Sequence, residues 1–227
     1  MKNTTSFFAI TKKTKDEADL VFNINCAILT KPVQQTAAYY STQPHKKIKM
    51  LYTGNIDFGR FDSLNKIAKE IGENNSYQLD IYTKSFLTNR QKKKLNKNNV
   101  FIYKSIPQEQ IIELQKQYDV LVFVESLSSF NKDARLSFST KLVDYFSAGK
   151  CIFAVGNEDL APISYLKDSN SALVATKKKD ISSCLLRMKD KGVLSFYSKR
   201  SFELGIKKHS WIDIEKTFFG VVLGTVK

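Results

Sequence analysis

At 227 residues, 42% hydrophobic and 26% charged, the chain lies in the ordinary globular range and holds one full core with room for a small appendage. Thirty-six Lys and Arg against 22 Asp and Glu leave a formal charge of +14, which points to an anionic partner: nucleic acid, an acidic membrane surface or a phosphorylated ligand. Cys26, Cys151 and Cys184 are odd in number and far apart, so neither a disulfide framework nor a zinc knuckle is indicated, and a reducing cytosol fits.

In chain order, the apolar run Phe7-Phe8-Ala9-Ile10 is too short for a signal-peptide core. No segment approaches the roughly 18 apolar residues of a membrane helix. A helix is predicted over Lys12 to Ala18, then a short run Ala27-Ile28-Leu29, then a polar stretch to Lys47 with Pro32 and Pro44 that reads as a linker. From Ile48 onward β-rich runs alternate with helical periodicity, the pattern of a parallel sheet covered by helices. The strands are predicted at Lys49 to Thr53, Gln78 to Tyr82, Val100 to Tyr103, Val120 to Val124, Cys151 to Val155 and Ala172 to Val174. Leu64, Ile67, Ala68 and Ile71 mark an amphipathic crossover helix, and Pro107-Gln108-Glu109-Gln110 opens another. Val120 to Val124 is apolar throughout, as a strand buried on both faces must be. The tail from Val193 to Phe219 reads as one or two helices, broken near Gly205 or His209-Ser210, with Trp211 packing in the tail.

Two constellations carry chemistry. The first, Tyr52-Thr53-Gly54-Asn55-Ile56-Asp57-Phe58-Gly59-Arg60, joins a strand to a helix, where a glycine lets the backbone approach a phosphate. Its spacing is not that of a dinucleotide fingerprint, and a plain tight turn fits it as well. The second runs from Arg135 to Gly149. Ser139 or Thr140 is a natural N-cap, so the helix over Lys141 to Ala148 begins with N–H groups, two hydroxyls and an ammonium in one turn, the outline of a diphosphate cradle. Asp144, one turn later, suits the 2′,3′-diol of a ribose. An ordinary capped helix is the alternative.

The run Val120 to Val124, Glu125-Ser126, then Arg135-Leu136-Ser137-Phe138-Ser139-Thr140-Lys141-Leu142-Val143-Asp144-Tyr145-Phe146-Ser147-Ala148-Gly149-Lys150 and an apolar strand closely resembles the donor-binding signature of retaining bacterial glycosyltransferases of GT-B type, the group 1 or family 4-like enzymes. Gly156-Asn157-Glu158-Asp159-Leu160-Ala161 is similar to the short loop that follows it in those enzymes, and Gly54-Asn55 with Gly59-Arg60 looks like their glycine loop. Ile28-Leu29-Thr30-Lys31-Pro32 is loosely similar to the hinge between their two halves.

The resemblance implies an α/β, Rossmann-like parallel sheet with helices on both faces, corresponding to the C-terminal half of such an enzyme with a truncated N-terminal half. It divides the chain into a remnant of the acceptor half plus linker (1–46), a nucleotide-sugar-binding domain (47–208) and a C-terminal crossover helix (209–227). Gly54, Asn55, Ser139, Thr140 and Lys141 would hold the donor diphosphate and Asp144 the ribose, with Arg60 and Lys141 as the catalytic candidates that stabilise the leaving diphosphate. Glu125 and Arg135 either contact the ligand or pair with each other across the loop.

Two departures stand out. The family's pair of glutamates separated by seven residues falls here on Leu136 and Asp144, so one sugar-contacting carboxylate is absent or replaced by Glu125. The N-terminal half, which in the family often supplies a histidine, is reduced to a remnant, and the only histidines, His45 and His209, read as ordinary surface residues. Arg90, Lys92, Lys93, Lys94 and Lys97, with Lys177-Lys178-Lys179, read as a solvated face or a contact with anionic lipid; no nucleic-acid motif accompanies them.

The expectation is transfer of a sugar from a nucleoside diphosphate sugar to a glycan or lipid-linked acceptor with retention, without a cofactor or metal, in the cytoplasm or at the inner face of the membrane. The alternative is a non-catalytic nucleotide-sugar-binding half that requires a separate acceptor-domain subunit.

Overall fold

The structure, a computed structural model, describes residues 6–33, 46–128 and 135–224. His45 and Pro44 lie outside the described residues.

The N-terminal segment is a minimal βαβ unit: β1 (Phe8–Ala9) and β2 (Ala27–Ile28) pair in parallel around α1 (Lys12–Phe22). The Thr11 hydroxyl accepts from Thr14 N at 2.9 Å and starts α1, which stops where Asn23 adopts a left-handed conformation. The predicted helix thus runs four residues past Ala18.

The rest alternates as expected. Its elements are β3 (Ile48–Thr53), α2 (Arg60–Gly72), β4 (Tyr77–Thr83), α3 (Asn89–Leu95), β5 (Val100–Lys104), α4 (Gln108–Lys116), β6 (Val120–Val124), α5 (Thr140–Ala148), β7 (Cys151–Val155), α6 (Ala161–Asp168), β8 (Leu173–Ala175), α7 (Lys178–Met188), α8 (Lys191–Lys208) and α9 (Trp211–Val222). β6 and β7 match their predicted bounds; β8 begins one residue late. Helices α3, α6 and α7 were not expected. Their cues are local: Thr88 and Gln91 form a capping box before α3, Pro162 sits in the first turn of α6, and Asp180 accepts from Thr176 N and Lys177 N at the start of α7.

Six strands form one sheet in the order β5-β4-β3-β6-β7-β8, and every neighbouring pair is parallel. Both faces are apolar because alternate residues serve separate cores. Val120, Val122 and Val124 join Met50, Tyr52, Leu64 and Ile67 on the side of α2 and α7. Leu121 and Phe123 join Leu51, Leu142, Phe146 and Ile163 on the side of α5 and α6. The chain builds outward from β3 to β5, then returns beside β3 with β6 and builds the other way. Helices α2 and α5 therefore leave adjacent strands toward opposite faces, which opens a crevice at the carboxyl ends of β3 and β6.

The tail breaks at His209-Ser210, where the Ser210 hydroxyl accepts from Asp213 N at 3.0 Å and caps α9. Gly205 does not break α8; it lets that helix approach α5, because a Cβ there would lie 2.8 Å from the Phe146 Cβ and 3.2 Å from Val33 Cγ1. Trp211 does not pack into the tail: it is 59% exposed at the start of α9.

The reading of His209 as a surface residue is overturned. Its side chain is 3% exposed, with Nδ1 2.8 Å from Thr30 Oγ1 and Nε2 2.8 Å from the Tyr165 hydroxyl. Phe138 stacks on the ring, and the His209 carbonyl accepts from Val33 N at 2.7 Å. The tail is thereby tied to the linker and to α6.

Burial pushes the His209 imidazole down to about 4 from its ordinary 6.5. The folded chain holds the ring neutral while the unfolded chain takes up its proton below about 6.5, so the contribution is whole above that pH and is lost as pH falls toward 4. Denaturant titrations should show stability declining by roughly 3 kcal/mol between those limits, and the step should vanish in His209→Gln.

Candidate functional site

The crevice is lined by the loops that follow β3 and β6 and by the start of α5. After Thr53 the chain turns at Gly54 with φ +140, a conformation that side-chain-bearing residues rarely adopt. Gly54 N donates to the Tyr82 carbonyl at 3.0 Å, and the Tyr52 hydroxyl donates to the Asn55 carbonyl at 2.5 Å, so the turn is fixed from both sides. Gly59, at φ +80, delivers the chain into α2; a Cβ there would fall 2.5 Å from the Ser126 Oγ. The loop after β3 thus lies directly against the loop after β6.

Ser139 occupies the N-cap of α5, yet its side chain makes no capping hydrogen bond, unlike Thr11 and Ser210 at their own helices. The first turn of α5 is left to an outside acceptor. Thr140, its first residue, is exposed.

Lys141 points from that turn toward Gly54: a Cβ on Gly54 would lie 2.5 Å from Lys141 Nζ. The ammonium sits 4.8 Å from the centroid of the Tyr52 ring and 6.0 Å from that of Phe123. Among the described residues no carboxylate forms a salt bridge with it. Burial pushes the Lys141 amine down to about 8, and the neighbouring Arg60 adds to this while Glu125 opposes it. Lys141 is thus a half-buried cation with aromatic neighbours and no salt bridge among the described residues.

Arg60, the first residue of α2, meets Glu125 in a two-pronged pair, Nε to Oε2 at 2.9 Å and Nη2 to Oε1 at 3.0 Å. The carboxylate side chain is only 8% exposed, so the pair is rigid and charge-assisted. The Glu125–Arg135 pairing considered from the sequence is not made. Arg135 instead pairs with Glu17 of α1, and its carbonyl accepts from Ala161 N at 2.9 Å.

Asp144 stands one turn beyond Lys141 and holds two donors, Lys31 Nζ at 2.6 Å from Oδ1 and Gln108 Nε2 at 3.2 Å from Oδ2. The linker and the start of α4 therefore both close on it.

Gly54, Asn55, Arg60, Glu125 and Lys141 are thus gathered at the crevice, with Ser139 and Thr140 at the turn that carries Lys141. Asp144 borders the linker, and Arg135 faces the N-terminal unit. Tyr52, Ser126 and Lys31 lie inside the motifs named from the sequence but have no role assigned there: Tyr52 is the last large residue of β3, and Lys31 is 113 residues from its partner. Among the described residues no group of three or more His, Cys, Asp or Glu is placed to hold a metal ion.

No protein-family model and no curated protein matches the chain. Solved structures do. A variant of S. aureus TarM in complex with fondaparinux, α-GlcNAc-glycerol and UDP superposes with a TM-score of 0.74 at 12% identity, over 97% of this chain and 44% of that one. The pneumococcal O-GlcNAc transferase GtfA in complex with UDP and GlcNAc gives 0.69 at 14% identity, over 100% of this chain and 46% of that one. The C-terminal domain of the group 1 glycosyl transferase LpcC from Francisella tularensis gives 0.55 at 12% identity, over 74% of this chain and 88% of that one. The chain spans less than half the length of the first two. Its six-stranded parallel sheet and flanking helices have the α/β fold of the C-terminal, Rossmann-like domains of GT-B glycosyltransferases.

Proposed function

We propose that the chain is the donor-binding half of a retaining glycosyltransferase, which takes a sugar from a nucleoside diphosphate sugar and passes it to a glycan or lipid-linked acceptor. The observation that carries this reading is Lys141: a half-buried ammonium that forms no salt bridge among the described residues, aimed at a glycine turn from the first turn of a helix with no side-chain N-cap bond.

The diphosphate lies between the Gly54 turn and the start of α5. Its oxygens accept from Lys141, from the Ser139 and Thr140 hydroxyls and from the N–H groups around them. A guanidinium has five N–H donors, and Glu125 takes two of Arg60's, which leaves the others for the phosphate. As the bond to the sugar breaks, charge grows on the leaving diphosphate, and these fixed cations favour the transition state over the bound substrate. Side chains and a helix terminus supply the charge compensation, so the reaction calls for no metal or cofactor. Asp144 spends one acceptor direction on Lys31 and one on Gln108; a carboxylate has about four, which leaves two for a ribose diol.

A second reading, a nucleotide-sugar-binding half that works with a separate acceptor-domain subunit, is favoured by the N-terminal unit. Two short parallel strands make a sheet that is normally part of something larger. Ile10, Leu20, Val21 and Ile28 are exposed on that unit. Free nucleoside diphosphate released from a panel of donor sugars by the purified chain supports the first reading; binding without release supports the second.

Titration calorimetry with UDP, GDP and dTDP should find one binder. Lys141→Ala should weaken it roughly 10- to 150-fold, the worth of charged hydrogen bonds, with unchanged circular dichroism. Asp144→Ala should cost about tenfold and erase any preference for ribo- over deoxyribonucleotides. Absence of binding to every nucleoside diphosphate would sink the reading.

Affinity should also fall as pH rises through about 8, where Lys141 loses its proton. The stability of the free chain should move oppositely. Its penalty for burying the ammonium is whole below about 8 and disappears as pH climbs toward the ordinary 10.5. In Glu125→Gln the supporting charge is gone, so the affinity loss should begin at lower pH, as a pH series of titrations would read directly.

A further inference from the structure

The helix α3 and the loop before it form a patch that the donor site does not use. Leu87, just ahead of the helix, and Leu95, its last residue, are buried and pin one side to the core. Lys84, Arg90, Lys92, Lys93, Lys94 and Lys97 are all exposed. Among the described residues none of them forms a salt bridge. From Ile81 to Gln108 the chain carries those six cations and Lys104 without a single carboxylate.

Two exposed aromatic rings lie on the adjoining loops, Phe86 between Lys84 and Arg90 in the chain and Phe58 with the Arg60 guanidinium 6.0 Å from its centroid. Phe86 is 88% exposed and Phe58 is 70% exposed. Their loops are joined, because the Ser85 hydroxyl donates to Asp57 Oδ2 at 2.9 Å and accepts from Ile56 N at 3.1 Å. The rings are the next residues along each loop, at the carboxyl edge of the sheet and at the border of the crevice.

We infer that this patch docks the chain on an anionic lipid bilayer, with Lys92, Lys93, Lys94 and Arg90 on the headgroups and Phe86 and Phe58 in the interfacial layer. Charge complementarity selects an anionic surface. The rings select lipid: a side chain as exposed as Phe86 has no wall beside it, whereas single-stranded nucleic acid is held in a groove whose aromatic residues line the track. Two further exposed apolar surfaces carry more carboxylates: Asp213 and Glu215 lie among Trp211, Ile212, Phe218 and Phe219 of α9, and Asp16, Glu17 and Asp19 lie beside Leu20, Val21 and Phe22 of α1. The proposed patch has Asp57 alone, beside Phe58 and held by Ser85. The inference rests on the proposed transfer reaction only for what the bilayer brings, a lipid-linked acceptor presented at the mouth of the crevice; docking itself is tested apart from nucleotide binding.

The test is co-sedimentation of the full chain with vesicles of phosphatidylcholine alone and with about a third phosphatidylglycerol. Binding should appear with the anionic vesicles only. Replacing Lys92, Lys93 and Lys94 together by Gln should reduce it about 100-fold, at a factor of about five per cation. Phe86→Ser should reduce it about tenfold by removing the inserted ring. Nucleoside diphosphate titrations of both variants should match the parent, so failure of docking and failure of donor binding are read separately. Trp211, the single tryptophan, monitors the competing surface, and its emission should stay unshifted on vesicle addition. Equal binding to both vesicles, a blue shift of Trp211, or parent-like binding by both variants overturns the inference. So does loss with the lysine variant but not with Phe86→Ser, together with full displacement by a single-stranded oligonucleotide, which assigns the patch to nucleic acid.

Discussion

Holding the half-buried Lys141 ammonium in place with no salt bridge among the described residues is the constraint around which the crevice is organised. Lys141 tolerates it because the Tyr52 ring lies under the charge and because the backbone at Gly54 comes close where a side chain would have blocked it. Glu125 supplies the nearby negative charge but spends its own hydrogen bonds on Arg60, so it steadies the field at Lys141 without quenching it. The strand order does the rest. Only where β3 and β6 run side by side with their helices on opposite faces do a glycine turn and a helix start meet across a gap.

Much of the architecture was legible in the chain. Val120 to Val124 and Cys151 to Val155 announce themselves because central parallel strands must be apolar on both sides, and the structure places them at those bounds. Helices α3 and α7 differ in legibility. The start of α3 rests on one side chain, Gln91, beside a run of lysine, whereas α7 carries Ile181, Cys184, Leu185 and Met188 at helical spacing, a periodicity the sequence displays although no helix was expected there. In α8 a glycine inside a helix weakens it on propensity alone, and the approach of Phe146 explains why a residue without a Cβ stands at 205.

The site divides along the same line. Residues near one another in sequence, Gly54 through Arg60 and Ser139 through Asp144, were readable as groups because a turn and a helix start impose local geometry. Contacts that join distant segments were not. Arg60 with Glu125, Lys31 with Asp144 and His209 with Thr30 and Tyr165 depend on how three separate stretches fold together. His209 shows the cost of arguing from residue type. A lone histidine near a chain end looks like a surface group, yet here it is the buried point where linker, tail and α6 meet.

Gly205 gives the tail an influence on the crevice that its position would not suggest. The absent methyl group sets the spacing between α8 and α5, and Val33 of the linker fills the same contact. A Cβ at 205 would collide with Phe146 and crowd Val33, so a side chain there would have to push α8 away from α5 and the linker, and α5 is the helix whose first turn carries Lys141. The alignment of the cradle is in that sense inherited from the far end of the chain, and a change there would be felt as poor aim and not as a lost contact.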